Sequence, residues 1–253
     1  MSDTIDAPAP PSTQSASAGG VPEVSETLGT MFAPRDLMRL AQGLYFTFWG
    51  TFAVLAATVE SLAVPAMRLF HVVVLSAGLI GMVAGSWRLQ QVRSLGVAWT
   101  RHARRLFWLA VVVAYLYPFF YMWRHLPKNL YLLAHAIVFL GGFIYWTSLL
   151  DSTIATLGRA MRRRSLVIQS VLFAGATFFL GVPFLLLAQS LIMAATQGYD
   201  PLELLRMFLM KVHPVFVLAL LVPFSLTLSL VWAAKDFVLQ FLAATENGST
   251  AGS

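Results

Sequence analysis

The chain has 253 residues, 58% of them hydrophobic and 11% charged, with a formal net charge of +6. Soluble domains average about 45–50% apolar and about 25% charged residues. The composition therefore excludes a mainly disordered protein and an ordinary soluble globule, and it points to an integral membrane protein. The absence of cysteine excludes a disulfide-stapled module, a thiolate nucleophile and any Cys-ligated metal.

Residues 1–34 read as a disordered, acidic tail rich in Pro, Ser and Ala. Its first 30 residues hold Asp3, Asp6, Glu23 and Glu26 and no Lys or Arg. Such a stretch buries too little apolar surface to offset the entropy of ordering. It lacks the basic and apolar regions of a secretory signal. Taking its −4 from the formal +6 leaves +10 on residues 31–253, so the basic charge belongs to the membrane part.

Residues 35–242 read as one six-helix transmembrane domain, followed by a short disordered tail at 243–253. A helix crossing the hydrocarbon core needs ~20 apolar residues. Six runs meet that length, near 38–59, 64–86, 106–123, 131–150, 166–194 and 214–241. Their apolar residues are continuous and do not alternate, so helices are expected and barrel strands are not. Asp36 in PRDLMRLAQ marks an amphipathic entry helix before the first run. Between the last two runs, Asp200 is a candidate N-cap and Pro201 suits the first helical position. Glu203 completes a capping-box signal. Residues 201–211 are thus predicted to form a short surface helix with apolar Leu202, Leu205, Phe208 and Leu209. Pro118, Pro183, Pro214 and Pro223 punctuate the later spans and are expected to kink them. Trp87, Trp108, Trp123, Tyr121 and Tyr131 near span ends read as interfacial anchors.

Loop charge sets the expected orientation. Arg35 and Arg39 precede the first span. Arg88, Arg93, Arg101, Arg104 and Arg105 follow the second, and Arg159, Arg162, Arg163 and Arg164 follow the fourth. The opposite side carries only Arg124, Lys128, Arg206 and Lys211. The positive-inside rule then places both termini in the cytoplasm, in a bacterial cytoplasmic membrane on the scarcity of Lys beside Arg. The arginine-rich loops are expected to contact anionic lipid or partner proteins. The stretches SLGVAWTRH (94–102) and TLGRAMRRR (156–164) look alike and suggest either a duplicated hairpin or a shared loop bias.

Ionisable groups in spans are the candidates for function, because hydrocarbon makes them costly. Glu60, Arg68, His71, Tyr121, His135 and His213 are expected in one outer-leaflet layer, with Glu60 neutralising Arg68. Three readings of that layer stand: a structural polar network, an outward-facing substrate or ion site, or ligation of a haem or chlorophyll-type pigment by His71 and His135. Asp151 and Asp236 are read as lying at the cytoplasmic ends of spans four and six, with Asp236 paired to Lys235. No zinc-protease motif, nucleophile elbow or intramembrane aspartate pair occurs, so no enzymatic activity is expected. No cofactor is expected outside the tetrapyrrole reading, and the basic loops lack the aromatic interleaving of a nucleic-acid surface. The leading expectation is a non-catalytic component of a larger membrane complex. The alternatives are a permease subunit energised by a separate protein, and a haem- or pigment-binding subunit.

Overall fold

In the computed structural model, residues 33–63, 68–211 and 214–250 are described. The expected disordered tail therefore lies outside the described residues except at its last two positions. The described chain is helical, without strands: α1 (Pro34–Ala63), α2 (Arg68–Gln91), α3 (Val97–His125), α4 (Leu130–Ala160), α5 (Arg164–Phe179), α6 (Gly181–Thr196), α7 (Pro201–Lys211) and α8 (Pro214–Thr250). Six stretches are long and apolar enough to cross a membrane, and α5 with α6 counts as one of them. The multi-pass, all-α reading holds.

The helices are longer than the apolar runs that announce them. The apolar run marks what hydrocarbon surrounds, whereas a helix stops only where the backbone is told to stop. At the start of α3 the stop is Gly96, at φ 91°. Arg101, Arg104 and Arg105, expected in a loop, therefore stand on the first turns of α3. At the other end Pro127 disfavours helical geometry at Leu126, and Asn129 then caps α4 by accepting from the Leu132 N–H at 3.2 Å. The helix α4 ends at Ala160, not near 150. There Arg162 takes φ 53° and the Arg163 N–H reaches the Gly158 carbonyl at 2.8 Å, the doubled-back bond of a left-handed C-cap. The helix α8 reaches Thr250, so the expected tail at 243–253 is helical over most of its length. The Asp36 segment is the first turn of α1 itself and not a separate entry helix.

The two look-alike stretches differ in structure. Gly96 lies outside the helix that follows it, while Gly158 lies inside the last turn of α4, packed against Leu166 and Val167. They do not form a repeated elbow. Pro183 does more than kink the fifth span. It has no N–H to donate to the Phe179 carbonyl, and the span breaks there into α5 and α6. Pro118 and Pro223 are accommodated within continuous helices, and Pro214 opens α8. The short helix α7 forms as expected, with Asp200 Oδ1 accepting from the N–H groups of Leu202 and Glu203 at 2.9 and 3.2 Å. Leu202 and Leu205 are buried, while Phe208 is half-exposed.

From α1 to α7 each helix touches its sequence neighbour, and α8 closes the ring by packing on α1, α4 and α5. The tightest seam is α1 on α2. Gly43, Thr47, Gly50, Val54 and Ala57 recur at alternating spacings of four and three, facing Leu75, Gly78, Met82, Gly85 and Leu89. A Cβ on Gly78 would stand 2.9 Å from the Val54 nitrogen, and one on Gly85 would stand 2.6 Å from the Thr47 nitrogen. In lipid, helix association rests on van der Waals contact, and small residues let backbones approach. The core elsewhere is aromatic. Trp99, Trp123, Trp146, Phe120 and Phe139 are fully buried. Trp99 donates to the Leu89 carbonyl at 3.1 Å and so ties α2 to α3. Trp123, expected as an interfacial anchor, is a core residue whose Nε1 donates to the Pro127 carbonyl at 3.2 Å. Trp87, Trp108 and Tyr131 are exposed, as anchors should be.

The short connections make successive helices antiparallel. The start of α1, the α2–α3 and α4–α5 connections and the later part of α8 therefore share one end of the bundle. Arg88 donating to Gln42 and the Arg163 guanidinium 4.5 Å above the Phe237 ring are contacts at that end. It is the arginine-rich end.

Candidate functional site

The expected outer layer is partly assembled, at the end opposite the arginines. His71 on α2 is buried, and its Nε2 lies 3.2 Å from Glu60 Oε2 on α1. Neither imidazole nitrogen makes a hydrogen bond, so the Glu60 contact is one of charge and proximity. A cavity of about 10 Å³ beside the imidazole is lined by Tyr117, Tyr121 and Arg124 of α3. That volume accommodates about one water. Glu60, His71 and Tyr121 thus come together, as a small polar knot without room for a substrate.

The remaining members do not join it. The His213 position lies outside the described residues. Arg68 starts α2, but its side chain lies outside the description, and the partner found for Glu60 is His71. His135 is engaged elsewhere. Its ring stacks on Phe119 at 4.6 Å and lies tilted against Tyr131 at 4.3 Å, and its Nδ1 contacts the Tyr131 carbonyl at 2.8 Å. Phe119 is two residues from both Tyr117 and Tyr121, about 160° around a helix from each. The two imidazoles therefore flank opposite faces of α3, and this arrangement does not present both to one tetrapyrrole iron. Among the described residues no group of three or more His, Asp or Glu forms a metal-binding set.

A second polar site appears where the sequence suggested none. Asp151 is fully buried on α4. The Thr227 hydroxyl of α8 donates to its Oδ2 at 3.0 Å, while Oδ1 is enclosed without a partner. The helix that carries Asp151, which was expected at the cytoplasmic end of span four, outruns that apolar run. The helix continues nine residues past Asp151 to Ala160, about 14 Å of rise. The surrounding hydroxyls give no help, because Thr147, Thr153 and Thr156 all donate back to carbonyls of their own helix. The signal that Asp151 is packed inside the bundle is Leu150, Ile154, Leu157 and Met161. These residues keep helical apolar spacing beyond the expected end, and all are buried. The pairing expected for Asp236 forms. Lys235 Nζ lies 3.0 Å from Asp236 Oδ1 and 3.2 Å from the Trp232 ring centre.

The arginines divide by environment. Arg88 is held by Gln42 and lies 5.3 Å from the Phe46 ring centre, and Arg163 lies over Phe237. Arg93, Arg159, Arg162 and Arg164 are exposed. Arg101, Arg104 and Arg105 line a groove of about 720 Å³ between α3 and α4. A second groove of about 600 Å³, between α2 and α3, is walled by apolar residues such as Leu79, Ile80 and Trp87. Both open on the outside of the bundle.

No protein-family model, curated protein or solved structure matches the chain.

Proposed function

We propose that the chain is a non-catalytic integral subunit of a larger membrane assembly. It sits in a bacterial cytoplasmic membrane with both termini and the arginine-rich end on the cytoplasmic side. The observation that carries this reading is the fifth span. It is the most apolar of the six, with a hydropathy of 2.3, yet only 11% of it is buried, against 33–50% for the others. It is also broken at Leu180, where Pro183 leaves the Phe179 carbonyl without its helical donor. A freed backbone group in hydrocarbon needs a neighbour to satisfy it. Phe178 and Phe179 are exposed at that level. A partner helix laid along α5 and α6 would cover the apolar face, and a polar side chain on it would supply the donor.

A permease subunit is the second reading. It is favoured by the buried Asp151 and by the broken span, since interrupted helices and intramembrane acids occur at transport sites. The best-formed cavities among the described residues include two external grooves and one water-sized pocket. They support the subunit over the permease.

The test is photo-crosslinking in native membranes from Phe178 and Leu186, combined with mild-detergent purification and identification of what co-purifies. A discrete protein adduct at these positions, absent from control positions on α3, supports the subunit reading. Lipid adducts alone, with a monodisperse lone chain after purification, overturn it.

A further inference from the structure

We propose that the groove between α3 and α4 is a binding site for one anionic phospholipid, with the phosphate on Arg101, Arg104 and Arg105 and an acyl chain along Trp108, Val112 and Tyr145. The lining positions of α3 fall at helical spacing, so they form one continuous face. That face is amphipathic along its length and not around its circumference. The three guanidinium groups occupy its first turns, and the walls beyond them are aromatic and aliphatic.

Charge specifies the headgroup. Among the described residues, none of these three arginines lies within ion-pair distance of a carboxylate, and the pairs that do form involve Arg39, His71 and Lys235. Three unpaired guanidinium groups in adjacent turns suit a phosphate, which accepts several charge-assisted hydrogen bonds at once. Depth specifies the rest. From Arg101 to Val112 the helix rises about 16 Å, close to half of the ~30 Å hydrocarbon core. The groove therefore runs the depth of one leaflet from the arginine level inward. An acidic protein segment would meet the arginines but would leave the apolar part of the groove empty. A phospholipid occupies both parts. Trp108, Val112 and Tyr145 are all exposed, so the acyl chain has open access from the bilayer.

This site lies on α3 and α4, away from the fifth span, and stands or falls independently of the subunit reading. The experiment is native mass spectrometry of the full chain released from nanodiscs of equal phosphatidylglycerol and phosphatidylcholine. The wild type is expected to retain one phosphatidylglycerol selectively. About fivefold per basic residue near a membrane surface gives about a hundredfold loss of selectivity in the Arg101→Gln/Arg104→Gln/Arg105→Gln variant. The matched variant Arg159→Gln/Arg162→Gln/Arg164→Gln removes as many charges from the same end and should keep the bound lipid. A second probe, Val112→Trp, fills the apolar part without touching charge and should reduce retention at least tenfold. Thermal unfolding of each variant reports folding separately. Equal loss from both arginine triples would mean diffuse surface attraction and would overturn the site. Retention unchanged in Val112→Trp would overturn the acyl-chain half of it.

Discussion

The α1–α2 seam makes the sharpest structural prediction. Replacing Gly50 by Ala adds one methyl, but the new Cβ would overlap the Met82 nitrogen and stand 2.8 Å from the Gly78 oxygen and the Gly81 carbonyl carbon. Non-bonded atoms prefer about 3.5–4.0 Å, so the helices must separate locally by about 0.7 Å or more. The obstructing atoms are backbone, so no side-chain rotation relieves them. A gap of that size forfeits a quarter to a half of each contact's attraction along the seam. Overpacking of this kind costs about 1–3 kcal/mol. At about 2–4 °C per kcal/mol for a chain of this size, the thermal midpoint in mild detergent should fall by about 2–12 °C. The control is Gly175→Ala on α5, where an added Cβ meets nothing within 4 Å. Helix propensity alone should leave it neutral or more stable by up to ~1 kcal/mol. If Gly50→Ala unfolds at or above the wild-type midpoint, the backbone-contact argument fails.

Four further outcomes follow from single contacts. Thr227→Val removes the one donor to buried Asp151 and should cost about 1–3 kcal/mol. The double variant Asp151→Leu/Thr227→Val should recover most of that loss, because apolar replacement of both partners is often neutral or stabilising. Chemical denaturation of the two variants side by side checks the pair. Asp200→Ala strips the α7 cap and should cost about 1 kcal/mol; hydrogen exchange localised to residues 201–205 should rise. Arg162→Gly relieves a left-handed conformation at a non-glycine residue and should stabilise by about 1 kcal/mol, seen as a higher melting midpoint.

The spans were legible because hydrophobicity is additive along a chain. Any ~20-residue apolar run reports the bilayer whatever it packs against. Helix ends obey local chemistry that such a run does not contain. Gly96, Pro127 with Asn129, and Gly198 are of types that terminate helices, and each does end or start a helix where it stands, although the apolar runs alone do not mark them. Arg162 carried no such mark, because a left-handed arginine is chosen by the surrounding structure and not by its own preference. The stripes Gly43/Thr47/Gly50 and Gly78/Gly85 stand in the sequence at helical spacing, but the reading by apolar runs passed over them. They show that α1 and α2 pack face to face at backbone distance, which overall hydrophobicity does not reveal.

The polar sites divide along the same line. Glu60 and His71 were found together because a short connection leaves their helices little freedom to place them apart. His135 was assigned to the same layer by depth alone. Depth gives one coordinate of three, and the angular position of Phe119 on α3 sends that imidazole to the other face. Asp151 shows the converse. Its apolar run stops near 150, ten residues short of Ala160, and that boundary gave no sign that the carboxylate is enclosed by other helices. A buried carboxylate with one donor and one empty oxygen is costly in hydrocarbon. Its partner Thr227 lies 76 residues away, on a helix that reaches α4 only because α8 closes the ring. No local pattern encodes that meeting. Asp151 can be recognised as a buried acid from the continued spacing of Ile154 and Leu157, but its hydroxyl donor emerges only from the tertiary fold.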